Sequence, residues 1–235
     1  DCVIDSMAKK LGTYHSLQAT GDDSIIELQV SSGSMNLSGI VEASTIELRA
    51  SDDLIVASGT YIDADGRGEA SQSGDGAGSG PNWVYYTGYN YRYAITQRRW
   101  GSGSGGGHGG DGADSKFLQT TDTTYFDGYP TGGSAHGSAV HPWTFGSGGG
   151  GYCNKHWNGD GCPVTTTGGS GGGRIKLVAG SVLTLSYGAT VSANGDDGAT
   201  STGNTWNYNT AFTAGSGGGA GGSGASTISL ATTGS

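Results

Sequence analysis

The chain has 235 residues and a net charge of −9, a field that repels phosphate backbones and speaks against a nucleic-acid partner. Gly supplies 49 residues, against a usual share of about 7%. With only 33% hydrophobic residues a broad conventional core is excluded, while 5 Trp, 12 Tyr and 4 Phe argue against simple disorder.

No run approaches the ~18 apolar residues that a membrane-spanning helix needs, so no membrane span is expected. Residue 1 is Asp and no signal peptide is present, which reads as a processed product or a fragment of something longer.

From the N-terminus, Cys2 is the first of three cysteines. Strand-like alternation begins at Ile26-Glu27-Leu28 and runs through Met35-Asn36-Leu37 to Val41-Glu42-Ala43. Asn36 opens an N-L-S sequon, and strand parity turns it outward, as N-glycosylation requires. A second copy follows, from Ile46 through Leu48, Leu54 and Val56 to Ile62-Asp63-Ala64.

A third copy starts at Arg174. Aligning Thr45–Gly68 with Arg174–Asp197 needs no gap and matches Ile46 with Ile175, Leu48 with Leu177, Ala50 with Ala179, Leu54 with Leu183, Gly59 with Gly188, Ala64 with Ala193 and Gly66 with Gly195. A further copy begins at Thr227-Ile228-Ser229-Leu230-Ala231. Fixed-period self-similarity with a two-residue side-chain period marks a solenoid. One coil of about 20 residues cannot bury enough apolar surface to offset its ordering entropy, so each copy needs its neighbours. The expected fold is all-β: a right-handed parallel β-helix (solenoid), one domain over 1–235. Its coils fall at about 24–70 and 167–235, with an insertion at about 71–166.

The insertion carries Gly/Ser tracts (Gly101–Gly107, Gly146–Gly151, Gly168–Gly173) and the stretch "WVYYTGYNYRYAITQRRW", which is dense in Tyr and Trp. Trp83, Tyr85, Tyr89, Tyr91, Arg92, Arg98, Arg99 and Trp100 are its candidate contact residues, for packing, for a subunit interface or for sugar stacking. A bundle of polyglycine-II helices is not expected, because that arrangement wants Gly at every third position and the tracts do not keep the step.

"CNKHWNGDGC" reads as a disulfide between Cys153 and Cys162, which leaves Cys2 for an intersubunit bond or a free thiol. "GGHGGDGAD" (Gly106–Asp114) partly matches a calcium nonapeptide, and "DADG" at Asp63–Gly66 the start of an EF-hand loop; neither completes its pattern, and turn chemistry is the reading for Asp63–Gly66. No cofactor or metal is expected, with calcium at these turns as the minor alternative. Asp52 and Asp53 with Arg49 are the carboxylates a β-helical polysaccharide-active enzyme would need, but their repeat equivalents are Ser181 and Val182, so no enzyme is expected.

The combination of I-x-L … G-x-[IV]-x-A-[DN]-G copies with GSGGG tracts, over about 24–70 and 167–235, resembles the glycine-rich β-helical repeats of extracellular filament proteins, such as the tubular mastigoneme proteins of algal flagella. The resemblance implies a secreted, extracellular, glycosylated structural subunit that self-assembles into a filament, with other copies of itself and covalent glycans as partners. The alternatives are a carbohydrate-binding or adhesive module and a β-helical polysaccharide-active enzyme.

Overall fold

The computed structural model describes residues 2–5, 16–19, 24–80, 103–114, 131–138, 143–154, 164–199 and 225–230. Within them the protein is all-β with parallel strands in sheets and no helix, hence no helix long and apolar enough to cross a membrane. Fourteen strands are present: β1 (Cys2–Asp5), β2 (Ser16–Gln18), β3 (Ile25–Val30), β4 (Met35–Leu37), β5 (Ile40–Glu42), β6 (Thr45–Ala50), β7 (Leu54–Val56), β8 (Tyr61–Asp63), β9 (Tyr152–Asn154), β10 (Val164–Thr166), β11 (Arg174–Ala179), β12 (Leu183–Leu185), β13 (Thr190–Ser192) and β14 (Ala225–Leu230).

Three parallel sheets share the work. One has the order β1-β3-β6-β11-β14, the second β12-β7-β4 and the third β13-β8-β5-β2. The chain visits them in a fixed order, so β3, β4 and β5 make one circuit, β6, β7 and β8 the next, and β11, β12 and β13 the one after. The aligned repeat is the register between circuits: Ile46 pairs with Ile175, Leu48 with Leu177, Leu54 with Leu183 and Ile62 with Val191. The earlier copy sits one layer away on the opposite side, with Ile26 on Ile46, Met35 on Leu54 and Val41 on Ile62.

Alternation explains why these residues form strands with one buried face. Leu37, Val41, Ile46, Leu48, Leu54, Val56, Ile62 and Leu177 are almost wholly buried, while Glu27, Asn36 and Tyr61 between them face out. At the bend after the second sheet, Gly59 and Gly188 both take a left-handed φ (74° and 81°), and the Gly59 amide donates to the Gly188 carbonyl at 3.1 Å.

The stack extends further toward the N-terminus than the alternation at Ile26 suggests. β1 pairs with β3 and β2 with β5, laying Leu17 over Val41. At the other edge β14 joins β11 out of the step its motif suggests: Ile228 lies beside Leu177, not Ile175, and Leu230 beside Ala179.

Between β8 and β11 the described glycine tracts form a second body without strand pairing. Segments 68–80, 103–114, 131–138, 143–151 and 167–173 lie side by side, and their backbone hydrogen bonds recur at every third position. The amides of Gly146 and Gly149 donate to Gly172 and Gly169, those of Glu69 and Gln72 to Gly146 and Gly149, and those of Ser104 and Gly107 to Ser79 and Gly76.

A β-strand would repeat these bonds at every second position on at most two neighbours. Here 146–150 bonds to three separate stretches, the pattern of a bundle of polyproline-II-like segments with a threefold screw. This corrects the expectation that no polyglycine-type bundle forms. Glycine at one position in three suffices for a single packed face; the tracts 146–151 and 167–173 are packed on several faces, so nearly continuous glycine serves them. A Cβ on Gly103 would fall on the Gly150 carbonyl, and one on Gly171 on that of Gly146. The bundle also takes in 68–70 and 167–173, stretches the repeat pattern assigns to the coils.

Candidate functional site

The hydrogen bonds of the bundle fix where each segment begins and ends. The Ser104 carbonyl accepts from Gly150 and its amide donates to the Ser79 carbonyl (2.7 and 3.1 Å), and the hydroxyls of Ser79 and Ser104 both donate to the Thr131 carbonyl (2.9 and 2.6 Å). The Asp114 carboxylate accepts from the Gly132 amide (2.7 Å), and the Ser71 hydroxyl links the Gly149 carbonyl to the Gly168 amide (3.1 and 2.7 Å). The Ala199 amide reaches the Thr167 carbonyl at 3.1 Å. Residues 80, 103, 114, 131, 151, 167 and 199 therefore gather at one end of the bundle.

Three excursions leave and return there, 81–102, 115–130 and 152–166, whereas 200–224 leaves beside Thr167 and rejoins at β14, whose Ala225 pairs with Arg174 in the strand stack. The third begins and ends in the antiparallel pair β9–β10, in which Cys153 opposes Thr165. By sequence all four carry aromatic residues, and together they hold most of the aromatics of the chain. The scaffold that carries them is nearly free of aromatic side chains.

The opposite end of the bundle is tied to the strand stack. The Gly173 amide donates to the Ala64 carbonyl and that of Gly66 to Asn194 (2.7 and 2.8 Å). Arg174 donates through Nε to Thr45 Oγ1 and through Nη1 to the Trp143 carbonyl (2.9 and 2.8 Å), and its guanidinium lies 4.8 Å from the centre of the Phe145 ring. Lys176 Nζ sits 3.9 Å from the centre of the Trp143 ring. These cation–π contacts bind the returning segment to the outer face of the first sheet.

The contact residues read from the sequence, Trp83, Tyr85, Tyr89, Tyr91, Arg92, Arg98, Arg99 and Trp100, lie outside the described residues, as does Cys162. Cys153 lies on β9 and Cys2 on β1. Asn36 occupies the exposed middle position of β4, between buried Met35 and Leu37, so the sequon faces outward.

Asp52 and Asp53 stand in the bend between β6 and β7. Asp53 accepts from the Val182 amide at 3.2 Å, while Arg49 is ion-paired with Glu47 and Lys176 reaches the same carboxylate at 3.2 Å. The carboxylates of the partial calcium patterns are engaged by the protein itself. Asp111 accepts from the Ala135 amide (2.6 Å), Asp63 from the Asp65 amide (2.8 Å), and Asp65 from the Ser192 hydroxyl and the Asn194 amide. The Asp63–Asp65 bond is the expected turn chemistry.

What the sequence reading missed is that three of the excursions share one end of the bundle. The signal available was the placement of each aromatic group between two glycine tracts, which marks the tracts as supports rather than linkers. Comparison of the chain with protein-family models, with curated proteins and with solved structures found no match.

Proposed function

We propose that the protein is an extracellular adhesive module that binds carbohydrate. Its stacked circuits form a parallel β-solenoid stem, and its glycine bundle holds both ends of three aromatic-containing segments on the side away from that stem. The observation that carries this reading is that three of these excursions leave and return at one end of a scaffold held by backbone hydrogen bonds.

Aromatic rings with interspersed Arg and Asn suit sugar faces and hydroxyls, combining stacking with directed hydrogen bonds. A main-chain scaffold places few sequence demands on what it carries, as a recognition surface requires. Glycan-array binding followed by calorimetry tests it: Trp83→Ala and Trp100→Ala should each weaken binding at least tenfold while leaving the fold intact. Unchanged affinity in both, or no glycan bound by the unaltered protein, would sink the reading.

A second reading, a structural subunit of a self-assembling, glycosylated filament, draws on the open side of the last full circuit. Leu185 and Val182 are 44% and 52% exposed there, whereas Val56, one layer below Leu185, is fully buried. Among the described residues no strand pairs with the outer edges of β12 and β13, and free strand edges invite pairing with another chain. Sedimentation and electron microscopy at high concentration distinguish the two: filaments favour this reading, monodisperse particles the first.

A further inference from the structure

Where the bundle meets the stack, two imidazoles touch. His108 follows the tract 103–107, and His136 lies on 131–138; their rings meet edge to face, with centroids 4.9 Å apart. His108 is only 6% exposed.

Two further segments close around the pair. From 143–151, Thr144 Oγ1 lies 3.1 Å from His108 Nε2, and the Phe145 carbonyl accepts from His136 Nε2 at 3.3 Å. Ser147 Oγ is 3.4 Å from that same nitrogen. From 68–80, Gly76 packs so closely that a Cβ there would stand 2.7 Å from His136 Nδ1. The backbone adds a bond from the His136 amide to the His108 carbonyl at 2.7 Å.

Because a carbonyl only accepts, His136 carries its proton on Nε2, and Nδ1 is left as a bare lone pair. That Nδ1 is buried and has no hydrogen-bond partner. A second proton would therefore place an N–H against Gly76 with no acceptor, and a positive charge beside the other imidazole.

The nearby charged groups do not offset this. The Asp111 carboxylate, on the same turn as His108, already accepts from the Ala135 amide; Asp75 beside Gly76 is exposed; and from the stack the Arg174 guanidinium sits over Phe145.

We propose that the His108–His136 contact is an acid-released latch: neutral, it locks segments 103–114, 131–138 and 143–151 together at the stack end of the bundle, and on protonation it lets them part. Burial, and next the neighbouring His136, hold the pKa of His108 below the ordinary 6.5, against an opposing hydrogen bond from the imidazole to the Thr144 backbone. For a base with a lowered native pKa the stabilisation is complete above the unfolded-state value and is lost as pH falls below it. Segments 103–114 and 131–138 flank the excursion 115–130, so opening the latch loosens the support of that excursion from the opposite end.

Amide hydrogen exchange read by NMR on the full chain tests the latch, with rates corrected for the intrinsic pH dependence of exchange. The amides of Gly107, Gly112, Gly133 and His136 report on the latch, and those of Leu48 and Leu177 on the stack. Between pH 7.5 and pH 5, protection at the first group should fall at least tenfold with a midpoint below 6.5, while the second group holds; in His108→Gln, which removes the buried imidazole itself, the fall should vanish. Constant protection in the unaltered protein, or the same fall in the variant, overturns the proposal. Should the variant fail to fold, titration of the imidazole Cε1 protons in the unaltered protein decides. His108 protonating below 6.5 together with the loss of protection supports the latch; His108 protonating at or above 6.5 refutes it.

Discussion

The strand stack and the glycine bundle solve the same problem with opposite materials. In the stack, order comes from side chains: Ile46, Leu48, Leu54, Val56 and Leu177 fill the space between three sheets and exclude water from it. In the bundle, order comes chiefly from the backbone, with a few serine, aspartate and histidine side chains at its ends. Its segments approach until carbonyls occupy the places where Cβ atoms would stand, and backbone groups bond to several neighbours at once. The apolar residues of the stack are defined by what they bury, the glycines of the bundle by what they leave out. The two bodies should therefore fail under different substitutions.

The largest effect is expected from Leu48→Ala, which opens a cavity at the centre of the stack and should cost about 4 kcal/mol in denaturant unfolding. Next comes Gly171→Ala. The added methyl falls on the Gly146 carbonyl and should cost on the order of 3 kcal/mol, read as lost amide protection across 143–151 and 167–173. Were this methyl tolerated, backbone contact would not be what holds the bundle.

A smaller effect is expected for Ser147→Ala. The hydroxyl of Ser147 accepts from the Gly76 amide at 3.0 Å in a buried setting, and its loss should cost about 1–3 kcal/mol. The smallest belongs to Gly109→Ala on the turn at the stack end, where nothing lies within 4 Å of an added Cβ and the φ is not left-handed. Thermal unfolding should place it within about 0.5 kcal/mol of the parent protein. A large loss there would mean that glycine serves the bundle through something other than close approach.

This contrast also explains which features could be read in advance. The stack was legible because burial writes itself into the alternation of side chains, so aligning Ile46 with Ile175 found a pairing between strands that the whole glycine body separates along the chain. The short copy "LQA" at Leu17–Ala19, matching Val41-Glu42-Ala43 and Ile62-Asp63-Ala64, could have found β2 but is too brief to rise above composition. β14 was found as a strand, yet its I-x-L motif suggested a step the pairing does not keep.

The bundle was illegible for a physical reason. A glycine tract packed on several faces and one left in solvent have the same sequence, since the determinant is a missing atom. The candidate site inherits that difficulty: its aromatic residues were visible one by one, but their shared origin depends on bonds such as Gly150 to Ser104, for which glycine and serine carry no distinctive pattern.

The pairing of β6 with β11 has a kinetic consequence. β3 and β6 belong to consecutive circuits and are close along the chain, whereas β6 and β11 must find each other across everything from β7 to the last glycine tract. On the logarithmic scaling of chain closure, a loop roughly six times longer costs about 1.6 kcal/mol more. A glycine body that assembles first brings Ala64 and Gly173 into contact and shortens the tether to almost nothing. Nascent protein that has not yet compacted 68–173 should therefore stall with two circuits formed and the third waiting, and the refolding rate should track the assembly of the glycines rather than that of the strands.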